Sequence, residues 1–364
     1  MSKTRDSLID ILKGIGIVSV VIGHSGVLFP GGEFIPSTRF VYLYHLMLFF
    51  FTAGAVYSPE KYSDPYVYIG RQMKGSVPMY WAYNFAFLAL HNVFSSTGML
   101  DIPKFSLIDY VIKIPGVLTL MHVEQLPGAV WFVPVLLLGK FLFAVAFNIA
   151  EKTPCKKLAH GVFFSGFAIL GIYTNYWGMY FSYCAQTAFL GVPVIYLGYL
   201  FRNYREYVMK FANIFTCIAS AAIMVLVLGL DVGYIELSSN QIITPVLFYP
   251  VTILGIFFAI ALASVIQHFA VTSKMFAYFG SISFHIMALH FLSFKCFDWV
   301  YGAIRGMLPT ETMEFPTAFA NAGLVYLTLG VALPSLIIYS FSKVKRWLQD
   351  GPHLWCLKVK NNKE

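Results

Sequence analysis

Apolar stretches of about 18–22 residues recur along the whole chain, and each is long enough to cross the ~30 Å hydrocarbon core of a membrane. Hydrophobic residues make up 58% of the 364 positions and charged residues 12%, whereas a soluble domain is about 45–50% apolar and about 25% charged. A membrane barrel would instead show alternating strands of about ten residues, which this sequence lacks. We therefore predict an all-α, polytopic integral membrane protein.

The apolar pattern predicts about ten transmembrane helices. They lie near 8–29, 38–57, 76–94, 128–148, 159–176, 180–201, 211–230, 241–265, 275–298 and 319–341. An inner N-terminus places most of the 25 lysine and arginine residues on the inner side, so the positive-inside rule favours an N-in and C-in orientation. This bias accounts for most of the net charge of +8, and no nucleic-acid partner is expected.

The chain is predicted to form a single membrane-embedded domain over 1–345, followed by a basic cytoplasmic tail at 346–364. The first span is too long for a signal peptide, and no cleavage site of small residues follows it. The five cysteines form no C-x-x-C pair, which argues against a disulfide framework and a zinc site. Histidines occur in the spans without nearby cysteines or paired carboxylates, so we predict no metal.

Two ionisable residues of the first span are candidates for function, because charged groups in a membrane are costly. Lys13 and His24 are eleven positions apart, which at ~100° per residue is three helical turns plus ~20°. The two side chains therefore share one face and are separated by ~16 Å along the axis. This predicts Lys13 at the inner headgroups and His24 beyond mid-membrane. Alternatively, Lys13 extends to the interface and His24 bonds a neighbouring helix.

Other ionisable residues lie in or beside later spans. Arg71 and Lys74, three positions apart in the predicted inner loop before the third span, form either an anion cradle beside a helix N-terminus or an ordinary basic anchor. His45 lies in the second span. His285 and His290 differ by ~140° on the ninth span, so at most one of them faces a common cavity.

The outer end of the fourth span combines an aromatic pair with an acid. Trp131 and Phe132 open the span, where an aromatic belt is the plainer interpretation. Glu124 precedes them and is one of few acids near an outer opening. Together with Asp10, it is a candidate partner for a histidine or a lysine.

Five short motifs occur in order along the chain. They are K-x₁₀-H at 13–24, a histidine at 45 followed by F-x₄-G at 49–54, R-x-x-K at 71–74, WF-x-P-x-L at 131–136, and G-x-x-S at 280–283 with a histidine at 290. Together they resemble the acyltransferase 3 family of bacterial membrane O-acyltransferases, most closely its fucose-4-O-acetylase-like branch. Lysine stands at 13 and 74 where the family pattern has arginine, which keeps the charge but not the bidentate fork.

The resemblance implies an acyl-CoA donor such as acetyl-CoA. It also implies that the acceptor is a sugar hydroxyl of a surface polysaccharide or its lipid-linked precursor, reached in a bacterial inner membrane. The implied donor-binding residues are Lys13, Arg71, Lys74 and Trp131. The implied catalytic residues are His24, His45 and His290, and we add Glu124 as a catalytic candidate through its pairing with a histidine or a lysine.

Coenzyme A is a polyanion at one end and carries the thioester at the other, and its pantetheine arm is roughly as long as the ~16 Å between Lys13 and His24. His24 would either deprotonate the acceptor hydroxyl or carry the acyl group covalently, and both routes remain open. The outer loops 95–127, 231–240 and 299–318 are expected to reach the acceptor. The competing interpretation is a proton-coupled transporter of small molecules or lipids.

Overall fold

The computed structural model describes residues 6–27 and 37–350, which form a bundle of α-helices. The helices of this part of the chain are α1 (Ser7–Ser25), α2 (Ser37–Tyr42), α3 (His45–Ala55), α4 (Pro65–Ser96), α5 (Leu107–Leu118), α6 (Phe132–Glu151), α7 (Lys156–Tyr176), α8 (Ala185–Phe211), α9 (Ile214–Gly229), α10 (Phe248–Gln267), α11 (Ala270–Ser281), α12 (Ser283–Ile304) and α13 (Gly323–Asp350). Two short antiparallel strands, β1 (Ile235–Glu236) and β2 (Gln241–Ile242), form a hairpin between α9 and α10. The predicted all-α membrane fold is confirmed.

Six helical segments within the described residues are long and apolar enough to cross a membrane. They are Ser7–Ser25, Gly128–Glu151, Lys156–Tyr176, Ser182–Phe211, Pro245–Gln267 and Ala320–Gln349. Helices α11 and α12 meet at an angle of 86° and add a seventh span if they are one broken helix. The protein is therefore a multi-pass membrane protein, while the count of about ten spans and the N-in, C-in orientation stay predictions.

Helix α4 begins earlier than the apolar pattern indicates. Its N-cap is Asp64, whose side chain accepts a hydrogen bond from the backbone N–H of Tyr66 at 2.7 Å, and Pro65 occupies the first turn. Both are favourable helix starts, so the helix extends well before the apolar segment. Arg71 and Lys74 consequently lie within α4, and the expectation that they flank a helix N-terminus is wrong.

The last helix also differs from its predicted limit. Helix α13 continues to Asp350, beyond position 345, because no glycine or proline interrupts the chain between Pro334 and Gly351. The first part of the predicted tail is thus helical. Residues 351–364 lie outside the described residues.

Close backbone contacts place α1 at the centre of the bundle. A Cβ atom at Gly14 of α1 would lie 2.1 Å from the carbonyl oxygen of Phe276, and one at Gly280 of α11 would lie 1.9 Å from that of Asp10. Only glycine permits this approach. The contact holds the kink between α11 and α12 against α1 and brings the start of α12 beside the helix that contains His24.

Candidate active site

Three of the histidines named above meet at the end of α1. The imidazole of His24, in the last turn of α1, stacks on that of His290 from α12 at a centroid distance of 5.5 Å and an interplanar angle of 27°. Phe291 meets the same imidazole edge-on at 4.8 Å. Tyr42 stacks on His45 at 4.8 Å, and both rings line the same cavity as His24. Helices α1, α3 and α12 thus converge through these rings.

Hydrogen bonds define the tautomers of the two partner histidines. The Nδ1 atom of His45 is 2.9 Å from the carbonyl oxygen of Val41, and the Nδ1 atom of His290 is 2.9 Å from that of Met287. A carbonyl only accepts, so each Nδ1 carries the hydrogen and each Nε2 is an acceptor. The Nε2 atom of His290 is buried and finds no hydrogen-bond partner among the described residues. A hydroxyl or a water brought to this atom would satisfy it.

A small cavity of about 40 Å³ opens beside His24, and we call it the outer cavity. Its lining residues are Val20, His24, Tyr42, His45, Leu46, Phe49, Ala129, Trp131, Phe132, Glu236, Ser238 and Met287. Trp131, the first residue of the W-F motif, therefore lies near the imidazole. If the thioester reacts at His24, Trp131 faces the reacting end of the donor.

A second cavity, of about 100 Å³, lies further towards the middle of α6, and we call it the inner cavity. Its lining residues are Phe49, Ser76, Phe132, Val133, Leu136, Leu137, Lys140, Ser283, Phe284 and Met287. Phe49, Phe132 and Met287 line both cavities, so the two spaces adjoin at these three side chains. The phenylalanine of F-x₄-G and the serine of G-x-x-S both face this inner space.

Lys140 is the cation of the inner cavity. Its ammonium donates a hydrogen bond to Oε1 of Gln72 at 3.1 Å, and it lies within electrostatic range of Lys13. The sequence offered one signal for this residue, a lysine within an apolar helix, but no motif assigned it a role. The structure places Lys140 in the lining of the inner cavity, which adjoins the outer cavity beside His24.

Arg71 and Lys74 line neither cavity. Both side chains are exposed on α4, the helix that contributes Ser76 to the inner cavity. The guanidinium of Arg71 lies 3.4 Å from the hydroxyl of Tyr62 and 5.8 Å from its ring centroid. These two cations are thus at the surface near the inner cavity, and donor binding by them stays a prediction.

Glu124 is not brought to His24. It is buried, its carboxylate accepts hydrogen bonds from Nδ1 of His91 at 2.9 Å and from Nε2 of His122 at 2.8 Å, and it lines neither cavity. Burial by itself raises the pKa of the Glu124 carboxyl, but the bonds from His122 and His91 outweigh burial and hold that pKa below its usual value. Glu124 does pair with histidines. They are His122 of the loop before α6 and His91 of α4, and neither lines the inner or the outer cavity.

The remaining ionisable residues of α12 are likewise paired. His285 bonds the hydroxyl of Tyr83 through Nδ1 at 2.7 Å, so it does point away from the face of His290. Lys295 donates to Asp298 at 2.9 Å, and both are fully buried. Among the residues that the structure describes, no group of three or more His, Cys, Asp or Glu side chains is placed to hold a metal ion.

These observations define a class of protein, a helical membrane protein with two adjoining, mostly apolar cavities between its helices. The sequence model of the acyltransferase 3 family, described as an acyltransferase domain, matches residues 6–341. The chain therefore belongs to this family and is a membrane acyltransferase. The match does not distinguish the fucose-4-O-acetylase-like branch, which stays a prediction. No match was found among curated proteins or among solved structures.

Proposed function

We propose that the protein is an O-acetyltransferase of the bacterial inner membrane. It takes acetyl groups from cytoplasmic acetyl-CoA and transfers them to a sugar hydroxyl of a surface polysaccharide or its lipid-linked precursor. The proposal rests on two adjoining cavities near His24. The inner cavity has Lys140 in its lining, and the outer cavity is lined by the rings of His24, Tyr42 and His45. His24 also stacks on His290.

The inner cavity suits the donor. The phosphates of coenzyme A need cations, and Lys13 and Lys140 lie within electrostatic range of each other, with Arg71 and Lys74 exposed on the neighbouring helix. Most of the cavity wall is apolar, as the pantetheine arm requires, and Ser76 supplies a polar atom. An arm lying along α1 covers the ~16 Å between Lys13 and His24 and presents its thioester to the imidazole.

His24 then has two chemically balanced routes. In the first, it takes the proton of the sugar hydroxyl while that oxygen attacks the thioester carbon. The C–O bond forms, the C–S bond breaks, and the imidazolium returns the proton to the thiolate of coenzyme A. General-base action of this kind contributes about 10²–10⁴-fold to the rate. In the second, an imidazole nitrogen of His24 bonds the thioester carbon as the C–S bond breaks and coenzyme A leaves as the thiolate. The hydroxyl oxygen then bonds the acetyl carbon as the N–C bond breaks, and the hydroxyl proton passes to the thiolate.

The test uses the purified protein in liposomes with radiolabelled acetyl-CoA. We follow two products together: free coenzyme A, and label transferred to the glycan fraction of cells that lack the protein. We expect turnover by the wild type, a loss of at least about 10²-fold with His24→Ala, and a raised KM for acetyl-CoA with Arg71→Ala. His268→Ala is the matched control, because His268 is exposed and bonds only its own helix through the Ser264 carbonyl.

Two outcomes would overturn the proposal. A wild-type protein that neither binds nor consumes any acyl-CoA would remove its basis, and transport assays would follow. Undiminished turnover by His24→Ala, with His268→Ala equally active, would place the reaction elsewhere in the molecule.

A further inference from the structure

An open cleft of about 570 Å³ lies beside the β1–β2 hairpin, at the end of the bundle where α7 stops and α2 begins. We call it the hairpin cleft. Its lining residues are Arg39, Asn175, Tyr176, Tyr234, Asn240, Gln241, Ile242, Ile243 and Pro245. Neither the family match nor any motif of the sequence assigns a role to this cleft.

The hairpin is a wall shared by the cleft and the outer cavity. Tyr234 lines the cleft, while Glu236, two residues further on, lines the outer cavity together with His24. Both side chains are within electrostatic range of Tyr42. Tyr234 and Glu236 are therefore close neighbours on the hairpin, one lining the cleft and the other lining the cavity of His24.

The side chains around the cleft are those that recognise a sugar. Tyr234 offers an aromatic face for the apolar side of a pyranose ring, and the guanidinium of Arg39 lies 5.4 Å from its centroid. Arg39 is also held by Asp231 at 2.9 Å. Gln241 adds an exposed amide that both donates and accepts hydrogen bonds. Ring stacking with a few directional polar groups is how binding sites orient a small polar ligand.

The hairpin is anchored to the helices behind it. The side-chain amide of Asn175 donates to the backbone and side-chain oxygens of Asn240, both at 2.9 Å, and both residues are buried. Tyr180 adds a bond to the carbonyl of Ser239 at 2.6 Å. The short hairpin is thus positioned before any ligand arrives, which lowers the ordering cost of binding.

Glu236 is oriented by its own loop. Its Oε1 atom accepts hydrogen bonds from the backbone N–H of Ser238 at 3.0 Å and from the hydroxyl of the same serine at 2.7 Å. The carboxylate is thereby held at the wall of the outer cavity that also contains His24 and His45. A carboxylate is an acceptor only and has about four acceptor sites, so besides the hydroxyl of Tyr42, which already bonds Glu236, it can accept from a further hydroxyl.

We propose that the hairpin cleft binds the acceptor sugar, with its ring on Tyr234, and that Glu236 accepts a hydrogen bond from the hydroxyl that receives the acetyl group. The inference rests on the proposed function, since it concerns the second substrate of the same reaction. It places donor and acceptor on opposite sides of His24, one in the inner cavity and one at the hairpin.

The test compares Glu236→Gln and Tyr234→Ala with wild type in the liposome assay. The probe is the unacetylated glycan fraction from cells lacking the protein, titrated at saturating acetyl-CoA. We expect each variant to raise the half-saturating glycan concentration by about tenfold or more. For Glu236→Gln this is the loss expected for a charged hydrogen bond. The KM for acetyl-CoA should stay within about twofold of the wild-type value. Glu206→Gln is the control, because Glu206 is exposed on α8 and lines neither cavity nor the cleft.

Glu236→Gln is isosteric, so it keeps the test valid should Tyr234→Ala fold poorly. An unchanged half-saturating glycan concentration in folded Glu236→Gln would overturn the inference. So would a rise in the KM for acetyl-CoA that matches the rise for glycan. Failure of the proposed function looks different, because the wild type itself would then consume no acetyl-CoA.

Discussion

At the scale of single residues, the most informative atom is Nε2 of His290, a buried acceptor beside the imidazole of His24 that has no partner in the part of the chain that the structure describes. Its Nδ1–H is committed to the backbone of α12, so the ring cannot turn to donate towards His24. It can only accept, from a hydroxyl, a water or a protonated neighbour. We therefore expect His290 to accept a hydrogen bond during the reaction, from a hydroxyl or from a protonated His24.

Replacing His290 by phenylalanine tests this role. The substitution keeps a planar ring for stacking and removes the acceptor, so we expect kcat to fall about tenfold or more while the KM for acetyl-CoA changes little. The same change at His285, on the same helix but bonded to Tyr83, is the control. Steady-state kinetics on the purified proteins decide, and an unchanged kcat in His290→Phe would contradict the role.

Lys140 supports a second prediction at this scale. Lys140→Met keeps most of the apolar stem and removes the ammonium from the inner cavity, so we expect the KM for acetyl-CoA to rise about tenfold or more through loss of a charged contact. Lys140→Arg should retain most of the affinity. Lys152→Met is the control, since Lys152 is exposed beyond the end of α6. Equal KM values for Lys140→Met and wild type would exclude the inner cavity as the donor site.

At the scale of helices, the α1–α11 contact sets the position of the site. Gly280 of the G-x-x-S motif approaches the backbone of α1, while Ser283 of the same motif faces the inner cavity. The glycine therefore permits the helix contact, and the serine lines the inner cavity. The F-x₄-G motif divides in the same way, because Gly54 contacts the backbone of α8 and Phe49 lines both cavities.

A methyl group at Gly280 should disturb this contact. Its Cβ would lie 1.9 Å from a carbonyl oxygen, so the helices must separate, at a cost of about 1–3 kcal/mol. We expect Gly280→Ala to lower the Tm and the activity together. Gly75→Ala is the matched control, because Gly75 lies within α4 with nothing near its Cβ position. Thermal unfolding of the two variants in detergent provides the comparison, and an unchanged Tm in Gly280→Ala would refute the packing argument.

Glu124 joins α4 to the loop before α6, and its contribution depends on pH. The pKa of its carboxyl is held below the usual value of 4.5, so the stabilisation is present above that value and is lost as the pH falls through the lowered pKa. We expect Glu124→Gln to destabilise the protein by about 2 kcal/mol at neutral pH.

Thermal unfolding of wild type and Glu124→Gln as a function of pH isolates this effect. The difference in Tm between the two proteins should narrow as the pH falls from about 6 to about 3.5, because the wild-type carboxylate becomes protonated. A difference that is constant across this range would show that the charge of Glu124 contributes nothing to the fold.

For the whole molecule, the sequence predicted the membrane class because hydropathy acts locally, within each span. The shared face of Lys13 and His24 followed from helical periodicity alone. The outer loop 231–240 was expected to reach the acceptor, but that its Glu236 and Ser238 line the cavity of His24 could not be predicted, since they are more than 200 positions from His24 in sequence and depend on how the hairpin docks. The start of α4 was missed because its capping signals lie in a polar segment that hydropathy reads as a loop.

The central claim is that acetyl-CoA reaches His24 from one side of the membrane and the acceptor reaches it from the other. Inverted inner-membrane vesicles expose the cytoplasmic face, so labelled acetyl-CoA added outside has access only to the donor end. We predict labelled glycan in the lumen, resistant to an added impermeant esterase until the vesicles are opened, with no such product from His24→Ala. Labelled glycan that is fully esterase-sensitive in sealed vesicles would contradict the account.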